Sequence, residues 1–571
     1  MSISETYGGF RERYLRHAEI VAQLERWQER WPNHIRVWTL TTSPEGRALV
    51  ACEVGDLTRA SGPSAMVTAN MHAAELAGSS VALSIAEAML ALHVDPEADP
   101  AGLPGGNYDH LRGVRLVVVP RIAVDGAELV MDDGRYVRSV PRDKPRGKGD
   151  VHWVPTDLDG NGLSLQMRRQ DPSGEYVSLG GEKGVMAPRE LEDPPPYYKL
   201  YPEAVIANYS GETPDGWAIP EASFDLNRNF PWSWRPEPDQ AGAGPFPTSE
   251  EEVRAIVELA SERPEFYTWI DLHTFGGCFI RPLGEKPDSK MSAEDLAVYR
   301  QLGHWAEECT GYPMVSGFEE FTYDPDTPIY GDLVEYAYHQ RGCFSYVCEI
   351  HDLFQQLGME RPKRFVDHYA RMEREQIRAF QTWDTDHNAG RAFHSWKTVE
   401  HPQLGAVEVG GIDPRVGLWN PPYEQLPKVC SDQVKMSLRL FAITPRLELH
   451  DVVVTPLAEG VSRLEVTVSN HGYLGTYGTD QGRERPPSEP LKAVVHTDGC
   501  ALVDATQKTR EVGQLDGWGR GRFASWPPGL HRSRGSTSTR RLMWVVRGAG
   551  RVHVQVGSQR TGWVETQIDL A

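Results

Sequence analysis

The feature that most constrains this chain is a short apolar strand that runs into a polar turn and out into a helix. Ser64–Asn70 is mostly apolar, His72-Ala73-Ala74-Glu75 follows, and Gly78–His93 is rich in Ala, Leu and Ile at helical spacing. The same alternation recurs on both sides. An amphipathic helix is predicted within Arg11–Arg30, where Tyr14, Leu15, Ile20, Leu24 and Trp27 recur among charges. A hairpin of His34–Thr42 and Ala48–Val54 follows, around Ser43-Pro44-Glu45-Gly46. Leu116–Pro120, Tyr267–Asp271 and Phe344–Ile350 read as interior strands. Ser249–Glu262 (capped by Ser249), Ala293–Glu308, Asp332–Gln340 and the long charged Arg364–Trp383 read as helices. Strands alternating with helices predict a layered α/β domain over residues 1–390.

Two stretches break that pattern. From about 124 to 221 the chain is rich in Asp, Gly and Pro and has little sustained periodicity. It is too long for an ordinary loop and reads as an insertion folded onto the parent domain, forming one wall of a cleft. After His387-Asn388-Ala389-Gly390 the composition turns to that of sheet. Leu447–Leu457, Arg463–Val468, Trp544–Arg547 and Val552–Val556 predict an all-β, sandwich-like accessory domain over 400–571.

Composition narrows the function. Hydrophobic residues make up 40% of 571, enough for a sizeable core. Lys plus Arg number 59 against 80 Asp plus Glu, a net charge of -21 that repels nucleic-acid phosphates and anionic lipid. The one basic run, Arg142–Lys148, has no interleaved aromatics, so neither nucleic acid nor membrane is an expected partner. Seven scattered cysteines without a CxxC pair argue for free thiols in a reducing compartment. No basic-then-apolar leader opens the chain and no 18-residue stretch reads as apolar, so a cytoplasmic protein is expected.

Four clusters carry chemistry. His72 and Glu75, three apart, can point the same way, and both are zinc-ligand types; alone, the pair also fits a helix-start Glu beside a hydrogen-bonded His. His273 sits just past an apolar strand, where ligands gather in open α/β sheets. Glu349 ends another such strand, where burial raises a carboxyl toward the range of a general base. Asp225-Leu226-Asn227-Arg228-Asn229-Phe230 crowds polar groups that need partners if buried, and the Arg228 fork suits a carboxylate. Two His and one Glu on zinc leave a position open for water, as in catalytic sites.

These motifs, in this order, resemble the zinc metallocarboxypeptidases, the carboxypeptidase A-like family, over roughly residues 7–385. Thr42-Ser43-Pro44-Glu45-Gly46-Arg47 and Gly244-Pro245-Phe246-Pro247-Thr248-Ser249-Glu250-Glu251-Glu252 fit the family too. The resemblance implies a mixed-sheet α/β catalytic domain and zinc-dependent hydrolysis of the C-terminal amide bond of a peptide, releasing the terminal amino acid. It assigns His72, Glu75 and His273 to zinc, Asp225 to support of a ligand imidazole, Asn227 and Arg228 to the free carboxylate of the substrate, and Glu349 to proton transfer. The family's carbonyl-polarising arginine follows an aromatic residue. Arg168, in Leu165-Gln166-Met167-Arg168-Arg169, takes that place with Arg169 as its rival. Tyr323 and Tyr330 both qualify as the tyrosine that caps the terminal residue, and Asp332, Val334 or Glu335 as the pocket residue facing its side chain.

Ala74 departs from the family, which commonly has an arginine there that touches the substrate farther upstream. With the large insertion, this leaves open a zinc amidohydrolase acting on γ-glutamyl, cell-wall or otherwise modified peptides. A third reading is a non-catalytic protein- or glycan-binding relative. Within the insertion, Asp157-Leu158-Asp159-Gly160-Asn161-Gly162 resembles the start of a calcium loop with Asp157, Asp159 and Asn161 as ligands. The twelfth position is Arg168 rather than Glu, and a plain Asx-rich turn is the other reading.

Overall fold

The computed structural model describes residues 6–59, 62–142, 150–181, 183–216, 218–219, 224–324, 326–369, 372–519 and 533–570; most of the basic run Arg142–Lys148 lies outside them. Helix α1 (His17–Arg30) precedes the hairpin of β1 (Ile35–Thr42) and β2 (Ala48–Val54). β3 (Ser64–Ala69), α2 (Ala77–Val94), α3 (Gly105–Leu111), β4 (Arg115–Val119) and α4 (Val124–Asp133) follow. The insertion contributes β5 (His152–Pro155), β6 (Gln166–Gln170), β7 (Tyr176–Ser178), β8 (Met186–Pro188), β9 (Tyr198–Pro202) and β10 (Ala204–Ala207). The parent domain resumes with α5 (Glu251–Glu262), β11 (Phe266–Thr274), β12 (Cys278–Arg281), α6 (Ala293–Thr310), β13 (Met314–Ser316), α7 (Leu333–His339), β14 (Phe344–Ile350), α8 (Leu353–Gln356) and α9 (Arg374–His387).

The central sheet is mixed, in the order β1-β2-β4-β3-β11-β14-β12-β13. Its middle strands β4, β3, β11 and β14 run parallel. β3 and β11 are buried along their whole length, as strands covered on both faces are, and their mostly apolar sequences fit that. Helix α2 lies between this sheet and a later helix, α10 (Leu426–Phe441). All but Ala91, His93 and Val94 of its 18 residues are buried. By length and composition it would pass for a membrane span, which corrects the expectation that no stretch is so apolar. Here its all-round apolarity is that of a core helix.

Three further expectations change. The stretch from 124 to 221 is not without regular structure: α4 opens it, and its strands β6, β9, β7 and β8 form a six-stranded sheet with β15 (Phe393–His401) and β16 (Gly405–Ile412). The predicted helix Arg364–Trp383 is two pieces, a 3-10 turn over Phe365–Tyr369 and a helix, Arg374–His387. Glu373 and Gln376 form a capping box that starts the second piece afresh. Ser249 does not cap α5 either; Glu250 is its N-cap, and the Ser249 hydroxyl accepts from Asn229 Nδ2 at 3.0 Å.

The accessory domain also begins later than residue 400. The β15–β16 hairpin completes the insertion sheet, and α10 packs on α2 and α6 with Leu426, Cys430, Val434 and Leu438 inward. From Leu447 the chain forms two four-stranded antiparallel sheets around Leu464, Val466, Val468, Val552, Val554 and Val556. Buried Arg560 docks this unit, donating to the carbonyls of Phe266, Arg341 and Gly342.

Candidate active site

The site forms at the carboxyl ends of β3, β11 and β14, where an open α/β sheet leaves a crevice. After β3, Asn70 takes a left-handed backbone conformation with φ of 55°, which Asn tolerates better than most residues. Its side chain donates to the His72 carbonyl at 2.7 Å and accepts from buried Arg121 at 2.9 Å, which fixes the turn. Gly78 lets α2 approach closely, because a Cβ there would meet the Leu272 carbonyl at 2.9 Å. On β11, Asp271 and His273 share one face, as residues two apart on a strand do. Glu349 pairs directly across from His273 on β14.

These elements bring His72, Glu75 and His273 together, with donor atoms within 4.8 Å of one another and all three residues buried. His72 Nδ1 and His273 Nδ1 are 3.1 Å apart. The edge of a tetrahedron with zinc–nitrogen bonds of about 2.0–2.1 Å is roughly 3.3 Å, so the pair fits one ion. Glu75 reaches His72 Nδ1 at 2.7 Å and His273 Nδ1 at 2.9 Å. Burial opposes its charge, but the two imidazoles hold it down at about 2. The far nitrogen of each ring meets its own carboxylate: His72 Nε2 with Asp225 at 3.1 Å, and His273 Nε2 with Asp271 at 2.7 Å. Such partners fix the tautomer and leave Nδ1 for a metal. Two neutral-capable imidazoles and one carboxylate are a donor set that suits zinc.

Asp225 also caps the 3-10 turn Leu226–Arg228, accepting from Asn227 N at 2.9 Å. That turn presents Asn227 and Arg228 to the same cavity of about 280 Å³ that holds the ligand cluster. Glu349 lines it as well, its carboxyl pushed up to about 8 by burial and by the nearby charge of Glu75.

Arg168 is not there. It lies on β6, where it pairs with Glu408 at 2.9 Å and stacks between Tyr198 and Trp396 at 4.6 and 4.5 Å. β6 belongs to the insertion sheet, and that sheet takes the side chain for its own packing; its neighbour Arg169 is on the same strand and does not line the cavity either. Besides Arg228 and Arg281, the cavity is lined by Arg138, which is bound to Asp225 at 3.0 Å through Nε. Burial works against its charge, yet Asp225 raises its pKa further. An aromatic residue, Tyr136, stands two positions before Arg138, so a search for an aromatic directly ahead of the arginine does not single it out. Asp271 was also missed, although its place two residues before His273 on a strand was a usable signal.

Of the two tyrosines, Tyr323 lines the cavity mouth at 62% exposure, and Tyr330 does not, its ring lying under Arg235 at 5.0 Å. Asp332, Val334 and Glu335 all line the cavity. Asp332 caps α7 by accepting from Glu335 N at 2.9 Å, and Glu335 accepts from Gly284 N at 2.8 Å. Burial, and for Asp332 also the charge of Glu335, pushes both up to about 7.

Of the two readings of residues 157–162, the hydrogen bonds show the Asx-rich turn. Asp157 accepts from the N–H groups of Gly160, Asn161 and Gly162 at 2.8, 3.2 and 2.8 Å, and Asn161 Oδ1 accepts from Leu163 N at 2.7 Å, while carboxylate oxygens of Asp157, Asp159 and Glu203 lie within 4.8 Å of one another. This is an Asx-rich turn closed by its own backbone. His351 is structural, bonded to the Gly417 carbonyl at 3.1 Å and lowered to about 4 by burial.

A family model described as zinc carboxypeptidase matches residues 20–173 and 204–376, more than half of the chain. A model described as a domain of unknown function matches 446–569. A search of curated proteins finds no match. Among solved structures, carboxypeptidase A from Helicoverpa armigera is similar at 17% identity, covering 60% of this chain and 65% of that one, with a TM-score of 0.39. Bovine thrombin-activatable fibrinolysis inhibitor gives 14%, 65%, 93% and 0.36, and the metallo-carboxypeptidase from Burkholderia cenocepacia gives 12%, 74%, 68% and 0.33. The chain thus spans just under two thirds of the Helicoverpa enzyme. With the family model over more than half its length and the ligand set of a zinc hydrolase at its strand ends, the chain belongs to the zinc carboxypeptidase family.

Proposed function

We propose that this protein is a zinc-dependent carboxypeptidase that removes a basic residue from the free C-terminus of a peptide. The observation that carries the reading is one cavity lined by His72, Glu75, His273, Glu349, Arg138, Asn227 and Arg228 together. Zinc held by the first three supplies a Lewis acid for water activation and carbonyl polarisation. Glu349 takes the proton from the attacking water and delivers it to the leaving amine. Arg138, oriented by Asp225, donates to the carbonyl oxygen as negative charge develops there. Asn227 and Arg228 hold the terminal carboxylate and so set the register of the scissile bond. An internal bond has no such carboxylate to offer. Tyr323, at the mouth, closes over the bound residue.

The preference for a basic side chain rests on Asp332 and Glu335. Among the described residues neither has a Lys or Arg ion-pair partner, and the His339 beside Glu335 at 3.1 Å is lowered to about 4 by burial and is therefore uncharged at neutral pH. A substrate Lys or Arg would supply the missing counter-charge at the end of an apolar stem, with Ile280, Ile329 and Val334 along the way.

The test is metal analysis with a peptide panel. One zinc per chain, and release of Lys or Arg from free-acid but not C-terminally amidated peptides, is expected. Equal release from amidated peptides would overturn the exopeptidase reading, and faster release of apolar residues would overturn the basic preference.

A further inference from the structure

A second cavity, of about 500 Å³, adjoins the metal-site cavity, and Tyr136 and Trp419 line both. Its walls come from the insertion sheet and the segment after it: Tyr176, Leu200 and Tyr201 on one part, Ile219, Ile412 and Leu418 on the other. Among the described residues, one charged side chain borders it, Arg135, and that guanidinium is bound to Asp133 at 2.6 Å. Apart from Ser164 and Gln166, the described lining is therefore largely aromatic and aliphatic and offers no unpaired charge among the described residues.

Trp419 is held firmly at the seam. Asn420, fully buried, accepts from Ala77 N at 2.8 Å and donates to the Ala74 carbonyl at 2.7 Å, so it ties this segment to the start of α2. The Trp419 ring packs on the apolar group of Ala73, Ala74, Val130 and Val137, and its centroid is 5.4 Å from that of Tyr136. A methyl side chain at Ala74 leaves room for this packing.

We propose that the second cavity binds the part of the peptide on the N-terminal side of the scissile bond and selects aliphatic or aromatic side chains there. The proposal rests on the carboxypeptidase reading for its direction. Of the two cavities, Asn227 and Arg228 border the metal-site one and not the second. With the terminal carboxylate held by them, a single residue occupies that side of the bond, and any longer reach must run upstream. The shared rim of Tyr136 and Trp419 leads such a chain onto the insertion sheet. Apolar side chains gain there by burial, whereas charged ones would lose hydration without finding a partner.

The test is equilibrium binding by calorimetry to the zinc-loaded Glu349→Gln protein. Three free-acid peptides end in Gly-Lys: a short one, one extended upstream by three serines, and one extended by Leu-Phe-Leu. The apolar extension is expected to lower Kd about tenfold or more relative to the serine extension. In Leu200→Asp and in Trp419→Ala the ratio of those two Kd values should collapse toward one. Kd values for the two extensions within twofold of each other in the parent protein, or an undiminished ratio in both variants, would overturn the assignment. An apolar preference in binding combined with no terminal release by the wild-type enzyme would support the groove while overturning the carboxypeptidase reading. Release without that preference would overturn the groove alone.

Discussion

Arg138 donates to Asp225 across 3.0 Å, although 87 residues separate them in the chain. The other oxygen of the same carboxylate meets His72 Nε2 at 3.1 Å. One buried acid therefore orients both an imidazole of the ligand cluster and a cation that lines the same cavity. Asp225→Asn should weaken zinc binding by about 10–100-fold, read by competition with a chromophoric chelator. An unchanged affinity would mean that His72 needs no such support.

Arg138→Ala and Arg168→Ala separate the two candidate cations. The first should lower kcat by about 10²–10³-fold, the usual loss when an oxyanion donor is removed. The second should leave kcat within about twofold but lower stability by about 1–3 kcal/mol, because the ion pair with Glu408 and two ring contacts are lost. Steady-state kinetics and thermal melts on the same preparations check both. The reverse pattern would restore Arg168 to the site.

Glu349 lines the cavity without belonging to the ligand cluster. Glu349→Gln should hold one zinc per chain as the parent does while kcat falls by about 10²–10⁴-fold. Loss of the metal together with the activity would make Glu349 a ligand rather than a proton carrier.

Asp332 and Glu335 predict opposite pH effects on binding and on stability. Both are raised to about 7, so they become anionic as pH rises through that value, and KM for a C-terminal Lys or Arg should fall between pH 6 and 8. A carboxyl whose folded-state pKa lies above its unfolded value binds more protons when folded, so its stability contribution is lost as pH rises from about 4 to about 7. Glu335→Gln should therefore raise the melting temperature at pH 8, by about 1–2 kcal/mol of unfolding free energy, and raise KM for basic substrates. A flat KM profile from pH 6 to 8 would argue against the acidic pair as the specificity element.

Much of the site was legible because its residues sit on short, strongly patterned elements. His72 and Glu75 flank the start of a helix, His273 and Glu349 end apolar strands, and Asn227 and Arg228 lie in one turn. Periodicity and strand-end placement locate such residues without tertiary information. The second Asp of the ligand shell, Asp271, was equally accessible to that logic.

What the sequence by itself determined is therefore the alternation of strands and helices and the placement of His72, Glu75, His273 and Glu349 at a helix start and at strand ends; their roles, and those of Asn227 and Arg228, came from the ordered set of motifs that resembles the zinc carboxypeptidases. Only the tertiary structure decided that Arg138 rather than Arg168 lines the cavity of the ligand cluster, that Tyr323 rather than Tyr330 stands at its mouth, and that residues 393–441 complete the first domain and its insertion sheet. Those outcomes depend on which side chains a distant sheet or helix claims for its own packing. Arg168 goes to Glu408 and two aromatic rings, where its charge is paired, and α10 goes to α2, because burying those two apolar helices together removes more apolar area from water than leaving either exposed.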